Sequence, residues 1–312
     1  MASPELLVVK PASHDSSDDE EDADDTVSAT VGGGGAKTRG RPATPSKRPV
    51  WSPPTRPTNA SLPQMSDARA FMLNPGAHGS LTRCCLHRHG GGLFAARSYT
   101  FSLDTGLAEP GDMLASTTKR AHKMHASYTI CCGPPSDALA SADGCIGKLK
   151  SDASGTQFVL YGPGVNAQKI SLWDDERDEL DQQHMVARQQ LAAVSYARTV
   201  VGRRKMLLPT YGPRAMSCEV VTAEHQSRAR SLHNKPPEWD ASTQAWVLDF
   251  HGRAPTVSSK NFQLCLDGSG DVVLQLGKVG RNAFTVDYSW PLSGLQAFGI
   301  ALSAFDQKRS KS

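Results

Sequence analysis

The chain has 312 residues and a formal net charge of +3, and 38% of its residues are hydrophobic. No run approaches the ~20 apolar residues that a membrane-spanning helix needs, so any membrane contact is expected to be peripheral. The cysteines number seven, an odd count, and Leu6–Val9 is too short for a signal peptide, so reduced thiols in a cytosolic setting are expected.

Residues 1–63 hold nine acids and seven bases, which leaves a net +5 for the remainder. They contain almost no apolar clusters and cannot offset the entropy of ordering, so a disordered region is expected there. Asp15–Asp25 is an acidic block beside Ser16 and Ser17, readable as a solvated tail or as a phosphorylation patch. Gly32–Gly35 reads as a flexible joint. Lys37–Arg56 carries six bases, no acids and many prolines, which suits either an electrostatic arm or a stiff linker. Residues 64–312 remain as one folded domain.

From Arg83 the chain breaks into short alternating runs separated by turn residues. Strands are predicted at Arg83–His89, Leu93–Asp104, Tyr128–Cys132, Cys145–Lys150, Gln157–Tyr161 and Leu191–Val201. More follow at Ala215–Ala223, Ala245–Phe250, Phe262–Asp267, Val272–Leu276 and Ala283–Tyr288. This density without interleaved helices predicts an all-β sandwich or barrel. The charged stretch Asp174–Gln190 is the exception, predicted as an exposed helix. Pro291 suits a first helical turn. After it, Gly294–Phe305 has only Gln296 and Ser303 as polar residues, seven apart on one narrow face. A helix apolar on all other sides is a buried one.

Motifs that suggest chemistry are incomplete. His89-Gly-Gly-Gly92 lacks a nucleophile elbow, and Gly147-Lys148 lacks the spacing and hydroxyl of a phosphate loop. His122, His125, Cys131 and Cys132 do not make a zinc set, because adjacent strand cysteines diverge. Asp249 and His251 share a strand face and read as a satisfied buried polar pair. No catalysis, metal or cofactor is expected.

Asn234-Lys-Pro-Pro-Glu-Trp239, followed by Leu248-Asp-Phe-His-Gly-Arg253, resembles the signature of the tubby family. Lys260–Gln263, Leu276–Val279, Phe284–Tyr288 and Leu295–Phe298 continue it in order, as do Ile146–Lys150, Gly155–Phe158, Gly164–Asn166 and Arg188–Val194 upstream. The resemblance covers about residues 66–306. It implies a closed antiparallel barrel of about twelve strands around a hydrophobic C-terminal helix, and a basic surface site for phosphatidylinositol 4,5-bisphosphate. It further implies a peripheral, membrane-tethered adaptor that acts as a monomer in the cytoplasm and at the plasma membrane. Protein cargo and the ciliary transport machinery are the partners it suggests. The chain departs from the family pattern by an insertion between Gly202 and Gly212, and by Lys308–Ser312 at its end.

Such a headgroup needs convergent cations. Lys119, Arg120 and Lys123 form a dense basic cluster, read as a turn-rich segment before the strand at Tyr128. The resemblance places phosphate ligands there and at Lys150, where the family has an arginine. Lys148 and Lys150, two apart on a strand, share a face. The rival reading is a nucleic-acid-binding or transcription-linked regulator in the nucleus, using Lys37–Arg56 and the acidic block.

Overall fold

Strand after strand, inward apolar side chains alternate with outward polar ones, and the result is a sheet with no edge. The structure, a computed structural model, describes residues 7–9, 65–90, 96–106, 111–121, 125–134, 144–166, 186–197, 200–203, 209–211, 215–222, 225–240 and 245–306. A short strand β1 (Leu7–Val9) and a helix α1 (Met65–Leu73) come first. The first half of the barrel is β2 (Leu81–His89), β3 (Ser98–Leu103), β4 (Met113–Ala121), β5 (Ala126–Cys132), β6 (Cys145–Ser151), β7 (Gln157–Tyr161) and β8 (Gln190–Ala197). After the hairpin β9 (Val200–Arg203) and β10 (Pro209–Tyr211) come β11 (Ala215–Thr222) and β12 (His225–Asn234). Strands β13 (Glu238–Asp240) and β14 (Ala245–Leu248) pair outside the barrel, before β15 (Phe262–Leu266), β16 (Val272–Lys278) and β17 (Ala283–Ser289). Helix α2 (Gly294–Asp306) ends the described chain.

Twelve strands close the circuit β11-β12-β15-β16-β17-β2-β3-β4-β5-β6-β7-β8, with β8 pairing back to β11 and every pairing antiparallel. The expected all-β class, closed barrel and buried C-terminal helix are therefore present, and closure removes the exposed edges that an open sheet would leave. Every residue of α2 from Gly294 to Ala304 is buried. Phe298 stacks on Phe101 of β3 with ring centroids 4.9 Å apart. Gly299 leaves room for a neighbouring strand: an added Cβ would lie 2.8 Å from Leu160 Cδ1 of β7.

The two polar residues of α2 set its register. Gln296 Nε2 donates to the carbonyls of Leu191 and Val221, at 2.9 and 2.8 Å. Seven residues later, the Ser303 and Tyr196 hydroxyls bond at 2.7 Å. Ser293 caps the N-terminus, receiving the Gln296 backbone N–H at 3.2 Å, while Gln296 Oε1 accepts the Ser293 N–H at 3.0 Å. This reciprocal pair is a capping box. The helix therefore starts at Gly294, and Pro291 lies ahead of it rather than in its first turn.

Other expectations are corrected. Strands β4 and β12 were not predicted, nor was α1, whose Met72 is buried against the start of α2. Residues 186–189 do not continue a helix: Ala187 bridges Val165, and β8 begins at Gln190. The rest of that predicted helix, and most of residues 1–63, lie outside the described residues, although Leu7–Val9 forms a strand against β14. Asp249 and His251 do pair, at 3.1 Å, but they sit in a partly exposed turn after β14 and not on a strand. His251 takes a positive φ of 52° there, followed by Gly252.

That turn aims Arg253 at the outer face of β17. Its guanidinium donates to both carboxylate oxygens of Asp287, at 2.8 and 2.6 Å, and to Asp104 at 2.6 Å. Gln275 Nε2 also donates to Asp287, at 2.7 Å, and Gln263 to Gln275 at 3.1 Å. Gly277 makes room for the turn, since a Cβ there would meet Ala254 Cβ at 2.5 Å. The Phe250–Arg253 signature is thus a clamp fastening the chain to the barrel exterior.

Candidate functional site

Parity along β4 divides the expected basic cluster. Lys119 is opposite Tyr128, which is opposite Leu149, and that row faces the interior. Arg120 is opposite Ser127, which is opposite Lys150, and that row faces outward. Neighbours on a strand point to opposite faces, so Lys119 and Arg120 do not meet one ligand from one side. Lys119 instead pairs with Asp306 at the end of α2, and the Tyr128 hydroxyl donates to the same carboxylate at 2.8 Å. The turn expected around Lys119 and Arg120 is the last part of a strand. Lys123 lies outside the described residues.

A second outward row runs Thr118, Thr129, Lys148, Tyr161, one pleat from the first. It brings Lys148 beside Lys150, with Arg120 two strands away, about 10 Å at the backbone from Lys150. Burial first, then the charges of Lys150 and Arg188, hold the Lys148 ammonium below its ordinary value, with Arg120 adding to the effect and Cys145 opposing it. The four cations therefore share one field.

Arg188 had not been assigned to the site. It is positioned by the turn at Gly162–Gly164: Arg188 Nε donates to Gly164 O at 3.1 Å, and its backbone N–H to Val165 O at 2.9 Å. Gly164 has a φ of 118°, and a Cβ there would come within 2.5 Å of Val186 O, so the turn needs glycine for both reasons. The sequence holds the two halves of this contact, Gly164-Val-Asn166 and Arg188-Gln-Gln, more than twenty residues apart, and spacing alone does not join them.

Among the described residues, none of Arg120, Lys148, Lys150 and Arg188 forms an ion pair with a carboxylate. Among the described residues, two guanidiniums and two ammoniums thus offer forked and single donors without a carboxylate partner. Such a set of cations has the chemistry to attract a multivalent anion. Among the described residues there is no group of three or more metal-ligating side chains, and no helix is long and apolar enough to cross a membrane.

Comparison with known proteins agrees with the barrel. A sequence profile of the Tub family matches residues 72–307. The chain is 32% identical to human Tubby-related protein 3 over 279 residues, 81% of this chain and 60% of that protein. It is 34% identical to mouse Tubby-related protein 1 over 265 residues, 78% of this chain and 46% of that protein. With Tubby protein homolog 1 of Caenorhabditis elegans the identity is 32% over 76% of this chain and 59% of the relative. The chain thus spans about half to three-fifths of the length of the relatives it matches. On the fold, the ordered signature and the profile match together, this chain belongs to the Tub family.

Proposed function

We propose that the protein binds phosphatidylinositol 4,5-bisphosphate through the outer face of β4–β6 and serves as a peripheral membrane-tethered adaptor rather than an enzyme. One observation carries this reading: Arg120, Lys148, Lys150 and Arg188 share one face and, among the described residues, have no carboxylate partner. A headgroup with several phosphates suits this set, because each phosphate accepts a fork from arginine or a point contact from lysine. Binding would place the barrel on the cytoplasmic face of the plasma membrane, with protein cargo, ciliary or otherwise, as the second partner.

The test is pelleting with phosphatidylcholine liposomes, with and without phosphatidylinositol 4,5-bisphosphate, beside a duplex DNA shift at matched salt. Pelleting that requires the bisphosphate, and that falls about tenfold or more in Arg120→Ala and Lys150→Glu, supports the reading. Equal pelleting on both liposomes removes it. Retention on DNA alone supports the nucleic-acid reading, which the salt slope would then quantify.

A further inference from the structure

We infer that Cys131 and Cys145 are a disulfide-forming dithiol on the outer face of the barrel, closed by a peroxide. The two cysteines are direct register partners across β5 and β6. Cys132 N donates to Gly144 O at 3.3 Å, beside the pair. A ladder bond in that place is the one that flanks a non-hydrogen-bonded pair, which in a regular antiparallel ladder sets Cα atoms ~4.5 Å apart with side chains close. A disulfide accepts Cα separations of about 4.4–6.8 Å. The register shifts here: Ile130 is opposite Gly147 and Cys131 opposite Cys145, so Ile146 takes the extra position. Both thiols are partly exposed, whereas Cys132 and Ile146 are buried.

None of the other five cysteines is opposite another. Cys84 faces Leu103 and Val286, and Cys85 faces Ser102 and Thr285. Cys132 faces Ala115, Cys218 faces Leu232 and Val194, and Cys265 faces His233 and Val272. The two outward thiols also feel each other. Burial, then the charge of Cys145, then that of Cys132, push the Cys131 thiol up, while Arg120 pulls it down.

The reaction balances with hydrogen peroxide as oxidant. The Cys131 thiolate attacks one peroxide oxygen and breaks the O–O bond, which leaves a sulfenic acid and hydroxide that takes up the thiol proton as water. The Cys145 sulfur then attacks the sulfenic sulfur, forms the S–S bond and expels the second hydroxide, which leaves as water with the second proton. Two sulfurs are oxidised by one electron each, and the two peroxide oxygens are reduced. Cys145 gives up only a weak bond, its thiol to Gly147 O at 3.4 Å. This chemistry does not depend on the lipid reading.

The test uses the full chain, treated with hydrogen peroxide at pH 8.5, alkylated without reduction, and cleaved on the N-terminal side of aspartate. Cleavage at Asp137 and Asp143 separates Cys131 from Cys145. The expected product is one cross-linked peptide 2 Da lighter than the two reduced peptides together. It is absent from Cys131→Ser and from Cys145→Ser, and the oxidised wild type melts several degrees higher than the reduced. Full alkylation of both cysteines after peroxide overturns the inference. So does a link that persists in Cys131→Ser through Cys132.

Discussion

Lys119 and Arg120 adjoin in β4 yet act at opposite faces of the barrel wall. Lys119 is tied to Asp306 at the end of the central helix, and Arg120 lies in the outward row with Ser127 and Lys150. The two substitutions should therefore separate. Arg120→Ala is expected to weaken bisphosphate-liposome binding about tenfold or more, with the melt unchanged. Lys119→Ala is expected to leave liposome binding near wild type. It should lower stability by about 1–3 kcal/mol, since the Asp306 carboxylate, 7% exposed, loses its cation. A negative group at a helix C-terminus is already opposed by the helix dipole. Paired melts and pelleting on the two single variants decide this, and a binding loss in Lys119→Ala equal to that of Arg120→Ala would refute the division.

Lys148 predicts a trade between stability and binding. Its folded-state value is lowered below the ordinary lysine value of 10.5, so the unfolded chain holds this proton more firmly than the folded one. Stability from this group therefore rises with pH across the window between the lowered value and 10.5, and the penalty is present in full below it. At pH 7 Lys148→Gln should raise stability slightly, by less than about 1 kcal/mol for a partly exposed group screened by solvent. It should weaken binding to a polyanion at the same time. The stabilisation should shrink with added salt, since screening shortens the reach of charge to ~10 Å at 0.1 M. A lower melting temperature in low salt would contradict the shared field.

The Arg253 clamp should be among the most sensitive points outside the barrel core. Burial alone would lower its value, but hydrogen bonds and charge from Asp287, then from Asp104, raise it above the ordinary range. Asp287 is 1% exposed, so removing the guanidinium strands a buried carboxylate. Arg253→Ala should cost about 3–5 kcal/mol. Arg253→Lys keeps the charge without the fork and should fall between the two. Denaturant melts give the ordering, and a neutral Arg253→Ala would show that the clamp contributes nothing.

How legible each part was depended on whether it was written locally. Gly294–Phe305 announced a buried helix because its apolar character has no gap. Lys148 and Lys150 could be placed on one face because parity within a strand is a local rule. Strand β4 was hidden because Ala115, Ser116 and Thr117 are all buried and give no alternation. The basic run after them then looked like a turn, which put Lys119 and Arg120 on one surface. Strand β12 was hidden likewise: Arg230 occupies an inward position opposite Val220, where its guanidinium lies 4.5 Å from the Trp290 ring. The contribution of Arg188 depends on a turn more than twenty residues away in sequence. No periodicity records a contact of that kind.

The register of the helix yields the last prediction. Gln296 is 3% exposed, and its amide makes three bonds: two donated to Leu191 O and Val221 O, and one accepted from Ser293 N. The two carbonyls belong to the chain of β8 and to β11, where the barrel closes. Gln296→Leu keeps the volume but orphans both carbonyls and the cap, and each buried unpaired group costs about 1–3 kcal/mol. Gln296→Glu should be worse at neutral pH. It keeps the acceptor for Ser293, but it sets a buried carboxylate oxygen against two carbonyl oxygens in place of a donor. Its defect should ease as pH falls, because a protonated carboxyl can again donate one hydrogen bond. Ser303→Ala loses the Tyr196 bond and the one its hydroxyl donates to Ile300 O within the helix, and should cost about 1–2 kcal/mol. Phe298→Ala, which empties the space against Phe101, should cost about 3–5 kcal/mol at any pH. Melts from pH 4.5 to 8 distinguish the causes. The Glu variant should converge toward the Leu variant as pH falls, while Phe298→Ala keeps a constant gap from wild type. A Gln296→Glu protein as stable as wild type at pH 8 would mean that the two carbonyls find other donors and that this side chain does not set the register.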